Sequence, residues 1–367
     1  MRKIAKRILI TSMCGCLLLL SGCSSDDDQK TDTEKTTEET KAINEGDYSA
    51  VLPFSPSDAN QKHSQMNTNL NDTLAIGSGL MERSKEYFSS KTYAFRGGVY
   101  LDYDTLTGLL GRTSEKTPNA MNPEVGTSFD TDTGSVKIKS SDVVLIDIFE
   151  YDWYRSSELG GMSLAIVLND QIGDEINPST IKEKQLKLYG EECARKLVNY
   201  LRKSKPEIGD DLPIYVTLYN LNSSDSNLPG SFFEEAYFES KTNAEFKGIK
   251  ETWALFPTSK ATSLDGTNAT YFDRYKASFK EFLNQDVDMI GKGHFVDDEL
   301  TELKINVTLR AKSADEIMAG VQLLNDRLSI FSSNNFKITV IVKCDDIDVA
   351  TITRKKGSNS TVAQTLL

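Results

Sequence analysis

The sequence predicts an α+β fold of two related units, each running helix–strand–strand–helix–strand, with mainly antiparallel sheets and helices on one face. Three observations lead there. Apolar and polar residues alternate over 303–309, with Ile305, Val307 and Leu309 set against Asn306 and Thr308, as in a sheet with one covered face. Apolar residues recur three or four apart at Leu186, Tyr189, Cys193, Leu197 and Leu201, and again at Ile317, Val321, Leu324, Leu328 and Phe331, each set lining one side of a helix. The strand–helix–strand order around the first of these helices repeats around the second, which reads as an internal duplication.

Composition narrows the function. The 367 residues are 38% hydrophobic, enough for a sizeable core, and carry 42 Lys+Arg against 54 Asp+Glu. That acidity argues against nucleic acid as a partner, because neutralising phosphates needs a basic face. Five scattered cysteines do not make a disulfide scaffold, and two histidines cannot make a multi-histidine metal cluster.

From the N-terminus, Arg2, Lys3, Lys6 and Arg7 form a basic head before the apolar stretch from Ile8 to Leu20. That stretch is too short for a permanent span and suits a signal peptide over 1–22. Leu20-Ser21-Gly22-Cys23 looks like a lipobox, so cleavage is expected between Gly22 and Cys23, with the Cys23 thiol lipidated. A diacylglyceryl group on Cys23 would hold the protein to the outer face of the cell membrane. Residues 23–45 read as a disordered acidic tether, since seven acids between Asp26 and Glu39 come with almost no apolar side chains.

The first unit is assigned to 46–245. It holds Leu52-Pro53-Phe54-Ser55, a helix at about 73–88, an insertion at about 89–142 rich in Gly, Thr and Asn, and strands at 143–149 and 162–169. A helix over about 181–203 and a strand at 213–219 complete it. The second, 246–356, holds Leu255-Phe256-Pro257-Thr258, a helix at about 270–287, strands at 293–296 and 303–309, a helix over 314–331 and a strand at 336–342. Asp348–Arg354 reads as a closing edge strand and 357–367 as a flexible tail. Thr180 with Glu183, and Ser313 with Glu316, have the spacing of capping boxes. Gly77-Ser78-Gly79 reads as a loop or helix breaker, and Gly160-Gly161 as a hairpin turn.

Chemistry-bearing residues are few. His63 sits in the polar run Gln61-Lys62-His63-Ser64 and is expected to be solvated, while His294, beside Phe295, is expected to be structural. Cys193 and Cys344 read as inert thiols. The acids Asp297-Asp298-Glu299 and Asp345-Asp346-Asp348 fall where strands turn; as carboxylate pairs they would suit an envelope hydrolase, the alternative to a binding protein. Phe149-Glu150-Tyr151-Asp152-Trp153-Tyr154 offers either core or an aromatic binding surface, the latter suiting a solute-binding lipoprotein. No catalytic residue, metal ligand or cofactor is assigned.

The lipobox, Tyr48-Ser49-Ala50-Val51-Leu52-Pro53-Phe54, Gly161-Met162-Ser163-Leu164-Ala165-Ile166, Leu212-Pro213-Ile214-Tyr215-Val216, Pro229-Gly230-Ser231-Phe232 and Lys292-Gly293-His294-Phe295-Val296-Asp297 occur in this order. Together they resemble the CamS family of sex-pheromone lipoproteins of Gram-positive bacteria, over nearly the whole mature chain. The resemblance implies internal repeats and a signal peptide trimmed to a short hydrophobic pheromone ending just before the lipobox cysteine. By position that peptide is Cys16-Leu17-Leu18-Leu19-Leu20-Ser21-Gly22. The mature part is expected to be a non-catalytic protein that binds an envelope or peptide ligand at the membrane–wall face.

Overall fold

A computed structural model describes residues 38–66, 70–221, 227–283, 288–310 and 313–366. The signal peptide, the lipobox Leu20-Ser21-Gly22-Cys23, the peptide Cys16–Gly22 and most of the tether lie outside the described residues. These described residues group as one compact unit.

The chain opens with β1 (Glu38–Glu39) and β2 (Ser49–Leu52), then helices α1 (Asn60–Met66) and α2 (Leu70–Ser84), then β3 (Ala94–Gly97) and α3 (Tyr103–Leu109). A ribbon of β4 (Ser128–Thr131) and β5 (Gly134–Lys137) precedes the long hairpin of β6 (Leu145–Arg155) and β7 (Glu158–Leu168). A second small ribbon, β8 (Gln171–Ile172) with β9 (Ser179–Thr180), leads into α4 (Glu183–Ser204), β10 (Ile214–Asn220), β11 (Ser231–Phe238) and β12 (Phe246–Gly248). These strands build an eight-stranded sheet in the order β1-β2-β3-β6-β7-β10-β11-β12, with β2–β3 and β7–β10 parallel and the other neighbours antiparallel.

The rest of the chain builds a six-stranded sheet. Its elements are β13 (Glu251–Phe256), α5 (Ser259–Leu264), α6 (Gly266–Leu283), β14 (Asp288–Val296), β15 (Glu299–Leu309), α7 (Ala314–Arg327), β16 (Lys337–Cys344), β17 (Ile347–Arg354) and β18 (Thr361–Thr365). The strands run in chain order, and only β15–β16 is parallel, with α7 as its crossover.

The α+β class and mainly antiparallel pairing are therefore as expected, but the covering of the sheets is not uniform. The second sheet fits the expectation of helices on one face: Ile305, Val307, Ile338 and Val340 pack with Phe272, Tyr275, Val321 and Leu324, while Lys304 and Asn306 stay exposed. The first sheet is covered on both faces. Met162, Leu164, Ile166 and Leu168 pack toward α4, through Leu186, Cys193, Leu197 and Leu201. Ala165, Val167, Tyr215 and Tyr219 pack with Ile76 and Leu80 of α2 and with Trp153. The physical reason is legible in β7, whose unbroken apolar run is that of a strand buried on both sides.

Other differences are local. Residues 38–39, placed above in the tether, pair with β2, and 361–365, placed above in the tail, pair with β17, so β18 and not β17 closes the sheet. Gly160 and Gly161 lie within β7; the hairpin turns instead at Ser156, which adopts φ 54°. Gly161 is small because a Cβ there would stand 2.1 Å from the Phe88 ring. Gly77 and Gly79 lie inside α2, where a Cβ on Gly79 would stand 2.4 Å from Phe232. Close helix–sheet packing, not helix breaking, selects them. Thr180 belongs to β9, so α4 starts from Lys182 with no side-chain cap, and Ser313 occupies the N-cap of α7 without its hydroxyl capping the helix.

Candidate functional site

A cleft of about 960 Å³ lies between α1 and α2 on one side and β3 and β6 on the other. Its walls carry Phe54, Leu70, Leu74, Met81, Phe95, Phe149 and Tyr151, and its floor includes Gly97 and Gly98. Three wall residues are large, apolar and open to solvent: Phe54 at 47%, Leu70 at 68% and Leu74 at 63% exposure. Such a cluster is the usual mark of a surface that binds something.

His63 forms part of this cleft, and here the sequence expectation is corrected. The ring is buried, not solvated: Nδ1 lies 2.8 Å from Asp147 Oδ2, and the imidazole stacks on Phe149 with centroids 4.2 Å apart. Asp147 is fully buried, and its other oxygen accepts the Ile148 N–H at 2.8 Å. The short helix α1 lays His63 on β6 while Asn60, Gln61 and Ser64 stay exposed. The available signal was Asp147, an acid inside the apolar run 143–149 that needed a buried donor.

At the other end of the cleft, Glu150 and Asp152 project from the same side of β6. Glu150 Oε1 accepts the Tyr100 N–H at 3.0 Å and Oε2 the Leu101 N–H at 2.8 Å, while Asp152 Oδ2 accepts the Val99 N–H at 3.1 Å. Two carboxyl groups thus hold the segment after β3. Gly98 fits there because a Cβ would stand 2.7 Å from Glu150. Burial raises the pKa of both, and for Asp152 the neighbouring Glu150 raises it further, well above the usual carboxylate range. Burial and the neighbouring Glu150 thus favour the protonated form of Asp152, whose Oδ1 is buried without a backbone or side-chain donor. Arg96, spread over the Tyr154 ring at 5.2 Å, is the nearby cation acting on Asp152.

The aromatic segment 149–154 divides between the two readings offered for it: Phe149 and Tyr151 line the cleft, whereas Trp153 is core and gives its indole N–H to Ser163 Oγ at 2.7 Å. His294 lies in β14, next to Phe295. It stacks on Trp253 at 4.2 Å, with Nε2 at 3.1 Å from Glu251 Oε1 but outside hydrogen-bond geometry. Glu251 also takes Arg83 of α2 at 2.6 Å, which ties the first sheet's helix to the second sheet. Neither Cys193 nor Cys344 is in a disulfide; Cys193 is buried, and burial pushes its pKa up to about 12.

The two acid clusters do sit at turns. Asp297 and Asp298 adopt φ 52° and 64° between β14 and β15, and Asp345 adopts φ 52° between β16 and β17. Because β15 and β16 are parallel, the first cluster precedes β15 at one end of the sheet and the second follows β16 at the other. An eleven-residue strand separates the ends by about 35 Å, so Asp297 and Asp345 cannot act together on one bond. Among the described residues no group of three metal-ligating side chains occurs, and no helix is long and apolar enough to cross a membrane.

A two-sheet α+β scaffold with an aromatic cleft in its first half defines the class. The family model described as CamS sex pheromone cAM373 precursor matches residues 54–360, and the chain belongs to that family. The crystal structure of a sex pheromone precursor from Lactobacillus salivarius subsp. salivarius UCC118 superposes with a TM-score of 0.80 at 21% identity, covering 90% of this chain and 99% of that one. The C-terminal domain of the sex pheromone staph-cAM373 precursor from Staphylococcus aureus gives 0.68 at 22% identity, covering 82% of this chain and 98% of that one. At these identities the likeness is one of fold. No curated protein matches the chain.

Proposed function

We propose that this chain is a surface lipoprotein precursor whose mature part is a non-catalytic binding protein, its ligand entering the cleft between α1, α2, β3 and β6. In this reading the leader 1–22 is cut before Cys23, Cys23 is lipidated and holds the protein on the outer membrane face, and Cys16–Gly22 is released as a hydrophobic signal. The lipobox pattern and family membership support the leader's fate. The single observation behind the binding role is the cleft, with Phe54, Leu70 and Leu74 exposed around it. Duplication is supported by strand order: with β3 set aside, β2, β6, β7, β10 and β11 run in the same order and directions as β13 to β17, with α4 and α7 as matching crossovers.

Two measurements test this. Cys23→Ala should move the protein from the membrane to the medium, and mass spectrometry should find the Cys16–Gly22 peptide outside wild-type cells; retention of the variant at the membrane would end the anchoring claim. Nile red, an uncharged apolar dye, should brighten on binding the wild type and not Leu74→Glu; equal brightening would remove the cleft from the binding role.

A further inference from the structure

The second sheet leaves one face without helices, and most charges there come in opposite pairs. Lys337 pairs with Glu302 at 3.0 Å, Lys343 with Asp348 at 3.4 Å, and Arg310 with Asp288 at 3.8 Å. Lys292 of β14 and Lys304 of β15 break the pattern. They stand directly opposite each other in the strand register, and among the described residues neither makes an ion pair. Like charges in that position repel. Burial and Lys304 hold the Lys292 ammonium below its usual range, with Asp72 of α2 opposing them. Asp72 is engaged elsewhere, its Oδ1 accepting the Tyr219 hydroxyl and the Gly230 N–H, both at 2.7 Å. In a chain with 54 Asp+Glu against 42 Lys+Arg, two facing lysines without an acid are out of keeping with their surroundings.

Exposed apolar side chains lie beside this pair. Lys292 Nζ reaches Asn71 Oδ1 at 3.5 Å, which sets β14 against the first turn of α2. The exposed Leu70 precedes Asn71, and the exposed Leu74 lies one turn on along the same side of the helix. Ile290, 53% exposed, is two residues before Lys292 and on the same side of β14. Three large apolar side chains thus adjoin two unneutralised cations.

We propose that Leu70, Leu74, Ile290, Lys292 and Lys304 form a docking surface for an anionic lipid membrane, the apolar side chains entering the headgroup layer and the two ammonium groups meeting lipid phosphates. A free phosphate would satisfy the lysines but leave the leucines in water, whereas a lipid surface matches both. A membrane is also within reach, since the 14 residues 24–37 between Cys23 and β1 span at most about 50 Å. That proximity rests on the anchoring proposed above; the composition of the patch does not. The acidity of the whole chain does not forbid the contact, because at physiological ionic strength charges more than about 8 Å away are largely screened. Such a contact is reversible and salt-sensitive, so it orients the anchored protein without retaining Cys23→Ala at the membrane. Leu70 and Leu74 also border the cleft, so docking sets part of its rim at the lipid surface.

The test is flotation of residues 23–367 carrying Cys23→Ser with vesicles of phosphatidylcholine, alone or with about one-third phosphatidylglycerol. The serine removes the lipidation site, so the outcome does not depend on the anchor. At low salt the anionic vesicles should bind about fivefold more tightly than the neutral ones, and high salt should remove the difference. Lys292→Gln with Lys304→Gln should also remove it. Lys184→Gln with Lys203→Gln, an equal loss of charge on α4 at the opposite face of the first sheet, should leave it in place. Leu70→Ser with Leu74→Ser should weaken binding to both vesicles. If the Lys292 variant does not fold, Lys304→Gln alone, at an exposed position, decides by a partial loss of the difference. Equal effects of the two lysine pairs, binding that ignores phosphatidylglycerol, or leucine variants that bind as the parent does overturn the docking surface. No binding to either vesicle overturns it too and leaves the patch to a protein partner.

Discussion

Gly161 and Asp152 show how single atoms are constrained in this protein. A methyl group on Gly161 meets the Phe88 ring at 2.1 Å, with Trp153 packed behind that ring. Gly161→Ala should therefore cost about 2 kcal/mol through overpacking, read as a lower urea midpoint at unchanged slope. Asp152 makes a prediction about pH. Its unfolded carboxyl titrates near 4, whereas the folded one titrates well above that range, so between those limits the folded state holds a proton that the unfolded chain has lost. That contribution is complete below about pH 4 and drains away as pH rises through the raised value. Asp152→Asn, which keeps a donor toward Glu150, should flatten the fall and raise stability at neutral pH; an unchanged slope would place the proton elsewhere. Neither constraint is legible in sequence, because each depends on what crosses the strand from outside it. His63 is similar: Gln61, Lys62 and Ser64 disguise its buried position in α1.

At the scale of elements, periodicity located what periodicity can locate. Leu186, Cys193, Leu197 and Leu201 do form the buried stripe of α4, and Ile317, Val321 and Leu324 that of α7. The alternation in β15 likewise marks the face that meets the helices. What escaped were features set by tertiary contact: the start of α4, displaced because Thr180 pairs in a ribbon, and the glycines of α2, chosen by Phe232 and Tyr151. The start of α4 is an uncapped position that substitution can improve. Lys182 has the extended backbone of an N-cap at φ −61° and ψ 140°, but no side-chain acceptor. Lys182→Asp should add about 1 kcal/mol by bonding a free N–H of the first turn and by replacing a cation at the positive end of the helix. An unchanged thermal midpoint would refute this.

Across the whole molecule, one link between the two sheets is the ion pair of Arg83 with Glu251, whose side-chain exposures are 19% and 5%. The same guanidinium reaches Glu235 at 3.7 Å and covers Phe232. Arg83→Ala leaves Glu251 without its 2.6 Å partner and should cost about 2 kcal/mol, between the values for exposed and fully enclosed pairs. Each sheet contains one tryptophan, Trp153 in β6 and Trp253 in β13, so single-tryptophan versions can report whether the sheets then melt apart. Coincident melting in the Arg83→Ala background would mean that other contacts carry the coupling. The two-sheet plan was legible from repeated strand–helix–strand order, but the second covering of the first sheet was not, since α2 and its aromatic partners come from distant parts of the chain. That double covering has a kinetic meaning. β7 and β10 have a strand on each side and helices above and below, so none of their amides opens to water by local fraying. In deuterium these amides should be the last to exchange, at a rate set by global unfolding, while those of β18 exchange early from their exposed edge.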